Sequence, residues 1–252
     1  MSATDFSFEP AYLVLAALAA AAYAWQRPRG KRIALFALGL FLVAAPLNSP
    51  LETIAAHRLL LIHLLQNALI ADIAPLLILV GLTPRMKAWL ERHGARRIRA
   101  RWAILAWLVA WYGTHLAGFY NWALDTGWAL NIEHAILIAG GLLFWWPIVS
   151  RRLSTPAALA YLGAGFVTSS FLGLALIFSS RPFYSFYEHA PRLWGLSPTR
   201  DQNLGGILMN AEQTIVFLAA IGYFVWRLLE EEHISGADGS PAAHRSPYNG
   251  RP

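Results

Sequence analysis

Seven apolar runs of membrane length or close to it divide this chain, at about residues 8–25, 33–48, 59–81, 102–120, 131–148, 156–180 and 204–226. About 20 apolar residues at 1.5 Å each cross a hydrocarbon core of about 30 Å, so the pattern predicts seven transmembrane helices and an all-α, polytopic membrane fold. Pro46 and Pro50 close the second run, because proline cannot continue a helix. The expected transmembrane domain covers 1–228. The stretch 229–252 turns charged and then rich in Gly, Pro, Ala and Ser, and is expected to be a disordered tail.

The third run is the exception to plain apolarity. It carries His63, Gln66, Asn67 and Asp72 along its length. Polar and ionisable groups at membrane depth are costly and therefore face a bundle interior, a partner or an ion. The i, i+3, i+4 spacing puts His63, Gln66 and Asn67 on one stripe, whereas Asp72, nine residues on from His63, falls near the opposite side. An unpaired carboxylate near the midplane is expected to be protonated or paired with a neighbouring helix. Behind this run, TPRMKAWLERHGARRIRAR sets Met86, Trp89, Leu90 and His93 on one stripe among basic residues, the pattern of a helix lying along a membrane surface.

Composition agrees and adds orientation. The chain is 57% hydrophobic and 13% charged, against about 25% charged for soluble domains. Trp25, Trp102, Tyr120, Trp145, Trp146 and Trp226 stand at run ends, as aromatic belts do. The net charge of +6 does not indicate a nucleic-acid partner, because the basic residues lie in short loops between apolar runs. Sixteen of the 20 Lys and Arg fall on one set of alternate loops, which predicts an outside N-terminus and a cytoplasmic C-terminus. With no cysteine, disulfides, thiolate metal sites and a Cys-x-x-Cys copper shuttle are excluded within the chain.

In that orientation the intramembrane histidines share a side. His63 opens the third run from outside, His115 ends the fourth there, and Glu133 and His134 open the fifth. Asp201 and Gln202 stand at the outer mouth of the seventh run, with Met209 and Glu212 two to three turns further in. Three imidazoles from three helices suggest a metal site of His63, His115 and His134, imidazole being a ligand for copper, zinc and iron alike, with Met209 as a soft ligand suited to cuprous copper and Glu212 as a further one. Gln66, Asn67, Asp72, Glu133, Asp201 and Gln202 would form the supporting polar cluster. The alternative for the three imidazoles is separate, hydrogen-bonded histidines. No nucleophile-and-base arrangement, phosphate loop or dinucleotide fingerprint is found, so an enzyme is not expected.

His63 and Gln66 running into Ala74, Pro75, Leu76, Leu77 and Gly81, Glu133–His134 followed by GGLLFWWPI, and WGLSPTRDQNLGGILM with Asp201, Gln202, Gly205 and Gly206 resemble, in order, three signatures of the CtaG-type cytochrome c oxidase assembly factors. The resemblance implies an integral membrane factor that matures a copper-containing oxidase and whose partners are oxidase subunits. The sequence departs from the family pattern in four places. Asn67 stands for a second His, Leu76 for a second Pro, Leu130 and Asn131 where a further His precedes the Glu–His pair, and Asn210 for a Trp. Two other readings stand beside copper handling: a metal-free partner docking a membrane subunit, and a haem- or quinone-binding redox protein using two of the histidines.

Overall fold

The fold is that of a computed structural model, which describes residues 4–237. Most of the expected tail, 238–252, lies outside the described residues. The chain forms α1 (Pro10–Ala24), α2 (Lys31–Leu47), α3 (Pro50–His57), α4 (Leu60–Gly81), α5 (Pro84–Arg92), α6 (Ala100–Thr114), α7 (Ala117–Asp125), α8 (Gly127–Val149), α9 (Thr155–Phe178), α10 (Ser185–His189) and α11 (Pro198–Ala237). Among the described residues there is no strand.

Four helices are long and apolar enough to cross a membrane: α4, α8, α9 and α11 over Pro198–His233. A fifth joins them if α2 and α3, bent by 54° at their break, count as one span. The helices in the first and fourth predicted runs, α1 and α6, have 15 residues each. The fourth run, predicted as one helix over 102–120, is broken: α6 stops at Thr114, His115 turns the chain, and α7 begins two residues later. The last helix continues into the stretch expected to be disordered and is helical up to Ala237, the last of the described residues. As predicted, the basic segment after α4 is a short helix, α5, with Thr83 accepting a hydrogen bond from the Met86 N–H at its start. Lys87 on α5 is half-buried and held below the usual lysine value, first by burial and then by repulsion from Arg32 and Arg151.

The third run is not one regular helix either. Leu69–Ile73 is a π turn, in which the Ala74 N–H reaches back five residues to the Leu69 carbonyl. Its cause is local. Pro75 has no N–H to give the Ala71 carbonyl, and its ring crowds that carbonyl in a regular helix, so the backbone widens ahead of it. Helix α8 comes against the widened turn at Gly141, where a Cβ would lie 1.8 Å from the Ala71 oxygen. Pro75 of the third run and Gly141 of the fifth are thus two halves of one contact.

Beneath this level the bundle is closed by rings. Phe144 lies 4.3 Å from Trp107, 4.9 Å from Tyr161 and 5.5 Å from Phe217 between ring centroids, and Trp145 lies 5.6 Å from Phe217. The outward surface carries exposed Leu15, Leu18, Phe41, Val109, Val167, Phe171, Ile215 and Leu218, an apolar exterior suited to lipid.

Candidate functional site

The entrance of α4 is built by residues distant in sequence. Leu59, before the first turn, offers no side-chain cap, and the free N–H groups of Leu60 and Leu61 are taken by the two carboxylate oxygens of Asp201, at 3.0 and 2.9 Å. Arg192 stands 3.8 Å from the same carboxylate. Beside it, Gln202 accepts from the Phe183 N–H at 2.7 Å and donates to the Arg181 carbonyl at 3.2 Å, pinning the loop before α10. One turn on, Gly205 lies so close to α4 that a Cβ would stand 2.7 Å from Leu64. Asp201 and Gln202, expected in a polar cluster around a metal, clamp α11 and the α9–α11 connection onto α4.

Inside that clamp His63 is fully buried. The Tyr187 hydroxyl donates its proton to the Ala55 carbonyl at 2.5 Å, so towards His63 Nδ1, 2.9 Å away, it acts as acceptor. Nδ1 therefore carries the hydrogen in neutral His63, and Nε2 presents a bare lone pair. That nitrogen faces Glu133 Oε1 at 3.5 Å, the oxygen that also accepts from the Asn67 amide at 3.0 Å. A lone pair opposed to a carboxylate in a dry interior is stable only with a positive charge between or upon them. Glu133 Oε2 has no hydrogen-bond partner.

His134 follows Glu133 on α8, and its ring centroid lies 5.9 Å from that of His63. Both of its ring nitrogens are buried and unpartnered. His115, at the break after α6, directs Nδ1 to the Trp111 carbonyl at 2.7 Å; the carbonyl can only accept, so here too Nε2 is the bare nitrogen, and it is unpartnered. Between His115 and His63 stands the ring of Tyr120, 5.6 Å from the first and 4.9 Å from the second, stacked at 4.3 Å on Tyr184. His63, His134 and Glu133 thus come together, while His115 joins them through Tyr120. Among the described residues, no three His, Asp or Glu side chains surround a common point closely enough to hold a metal ion as they stand.

Other predicted members are dispersed. The stripe expected to carry His63, Gln66 and Asn67 together divides, because adjacent positions on a helix lie about 100° apart. Asn67 turns with His63 to Glu133, whereas Gln66 turns to α2 and α3, donating to the Pro46 carbonyl at 3.2 Å and to Glu52. Glu212 lies two turns beyond Gly205, about 10 Å deeper than the His63 level by helix rise, and Met209 packs among apolar residues including Leu64 and Ala71. Asp72 stands in the π turn near Trp145 and Glu212 rather than on a face of its own. Sequence reasoning missed Tyr120, Tyr184, Tyr187 and Glu52. Tyr187 and Glu52 lie in short connecting helices where periodicity carries no signal, although an acidic residue just after a proline at a helix start marks Glu52 as positioned.

The architecture defines a bundle of membrane-type helices around a buried polar site. A family model described as cytochrome c oxidase caa3 assembly factor (Caa3_CtaG) matches residues 11–231, and the chain belongs to that family. No curated protein and no solved structure matches it.

Proposed function

We propose that the protein is an integral membrane assembly factor for a haem–copper cytochrome c oxidase, and that it takes copper as cargo at the outer side of the membrane. The carrying observation is the opposition of a bare His63 Nε2 to the Glu133 carboxylate at 3.5 Å, with two unpartnered His134 nitrogens beside them. Fixing one imidazole nitrogen on an acceptor so that the other is bare is how metal-binding histidines are prepared. Imidazole suits copper, and a site without thiolate holds it weakly enough to pass on to an oxidase subunit. Asn67, where the family signature has a second His, orients Glu133 instead of adding a ligand, so the site is thin in donors. His115 serves as a further imidazole reached past Tyr120.

In this reading all seven apolar segments cross the bilayer, α1 and α6 as short spans, with the N-terminus outside and the C-terminus in the cytoplasm of a bacterium. The distribution of Lys and Arg supports this orientation. A periplasm-active reporter fused after Arg227 stays silent if the orientation holds. For the site, bound copper is measured on the purified full-length chain, and the copper content of the oxidase on the same membranes. His63→Ala and His134→Ala are each expected to lower both. A fully metallated oxidase with both variants rules out copper handling and leaves the cluster as a docking surface; a coloured purified protein points to a haem.

A further inference from the structure

Two turns below the histidines lies a second set of buried polar groups that the copper site does not use. Asp72 is fully buried in the π turn, and neither of its carboxyl oxygens has a hydrogen-bond partner. Glu212 on α11 lies within its electrostatic reach, and both Glu212 oxygens are likewise buried and unpartnered. The indole N–H of Trp145 on α8 is offered to the Asp72 carboxyl without closing to full hydrogen-bond geometry. Gln213 is fully buried with both amide atoms unpartnered. It sits one turn from Met209, which packs in the cluster containing Ala71, and one turn from Phe217, which packs on Trp145; that stripe of α11 brings it to the level of Asp72.

The surroundings hold no positive charge. The facing stretches of α2 (33–47), α4 beyond Asp72, α6 (102–114), α8 beyond His134 and α9 (155–178) contain no Lys, Arg or His, and no carboxylate either. On α11 from 202 to 226 Glu212 is the sole charged residue; the only other titratable groups on these segments are the tyrosines Tyr112, Tyr161 and Tyr223. Tyr161 gives its proton to the Phe144 carbonyl at 2.9 Å, and Tyr112 gives its own to the Thr168 carbonyl. Two ionised carboxylates cannot stand together in such a place. An alkali or alkaline-earth ion takes about six or more oxygen ligands, more than two carboxyls and one amide supply.

We propose that Asp72 and Glu212 form a proton-binding site at mid-membrane, in which one proton taken from water is shared between the two carboxyls and Trp145 and Gln213 face the remaining oxygens. The O–H bond forms on one carboxyl, which then donates to the other, and the pair keeps a single negative charge. A second negative charge on this pair would be neither solvated nor balanced, so the pair is expected to keep its proton at neutral and mildly alkaline pH.

The full-length chain, reconstituted in liposomes, is examined by infrared spectroscopy for the carbonyl band of a carboxylic acid at neutral and mildly alkaline pH. The band is expected to persist there and to be lost when Asp72→Asn is combined with Glu212→Gln. Absence of the band from the wild-type chain, or its survival unchanged in the double variant, overturns the proposal. Should the double variant not fold, a hydrophobic carbodiimide, which reacts with protonated carboxyls in apolar surroundings, is applied to the wild-type chain and the adduct mapped by mass spectrometry. An adduct on Asp72 or Glu212 that sodium chloride does not suppress supports the shared proton. An adduct on neither, or one suppressed by sodium at constant pH, overturns it, the latter in favour of an alkali-ion site.

Discussion

The layer around His63 and the ring-packed layer around Phe144 hold the same helices together by opposite means. In the first, side chains are fixed by hydrogen bonds to backbone carbonyls and to one another, and several nitrogens are left bare. In the second, Trp107, Phe144, Trp145 and Phe217 fill space with mostly tilted rings, and Tyr161 gives its one proton to a carbonyl. The difference teaches where rigidity and reactivity are separated. The aromatic layer sets the spacing of α6, α8, α9 and α11, so the polar layer can leave donors uncommitted without the helices drifting apart.

The comparison breaks most sharply at Phe217. Phe217→Ala opens a cavity among four aromatic neighbours and is expected to lower stability by about 3–5 kcal/mol, read as a fall in melting temperature in detergent. Bound copper per folded molecule should stay unchanged; a parallel loss of copper at a temperature where the variant is folded denies the separation of the layers. Asp201→Ala removes the cap of α4, leaves the Leu60 and Leu61 N–H groups without their acceptor and takes the paired carboxylate from Arg192. A loss of about 2 kcal/mol is expected, and Asp201→Asn should restore part of it. Tyr187→Phe discriminates in the other direction. It should cost only about 1 kcal/mol in stability yet weaken copper binding roughly tenfold, because His63 loses the group that fixes its tautomer. The smallest effect is at Lys87. Its value in the folded chain lies below that in the unfolded chain, so the unfolded state binds more protons and wild-type stability rises with pH up to the ordinary lysine value. Lys87→Gln should raise stability at neutral pH by less than about 0.5 kcal/mol and remove that rise, as melting curves across pH would show.

Much of this was legible in the chain itself. Apolar runs located seven helical segments, and His63, Glu133 and His134 announced a buried site because ionisable groups in such runs need an interior. What stayed hidden depended on rotation and on irregular backbone. Gln66 and Asn67 are neighbours in sequence yet serve different helices, which only the helix phase determines. Asp201 reads as part of a polar cluster around a metal in the sequence and caps a helix in the structure, since a carboxylate accepts from an imidazole or a backbone N–H with the same atoms. The break at His115 has no proline to mark it, and the glycines that flank it, Gly113 in the last turn of α6 and Gly118 in the first turn of α7, lie within helices on either side. Tyr187 sits in a five-residue helix too short for any periodic signal.

The π turn at Leu69–Ile73 makes the third run behave as two screws joined by a washer. Above it, the phase of the thread sets where His63 and Asn67 point; below it, the phase sets how Gly81 meets Phe36, whose backbone nitrogen would lie 2.6 Å from a Cβ there, and how the Gly81 carbonyl receives the Tyr23 hydroxyl at 2.9 Å. Five residues in the π turn cover about the rotation that four cover in a regular helix. Removing one residue from the turn would therefore restore regular winding with the two threads nearly in phase, whereas removing one from the winding on either side would rotate one thread against the other by about 100°, with a slip of about 1.5 Å. No single residue in the turn need be chemically special for this to matter. The residue count of each regular stretch, Leu60–Ala68 and Ala74–Gly81, is itself the constraint, and a change of length there should cost far more than the same change within the turn.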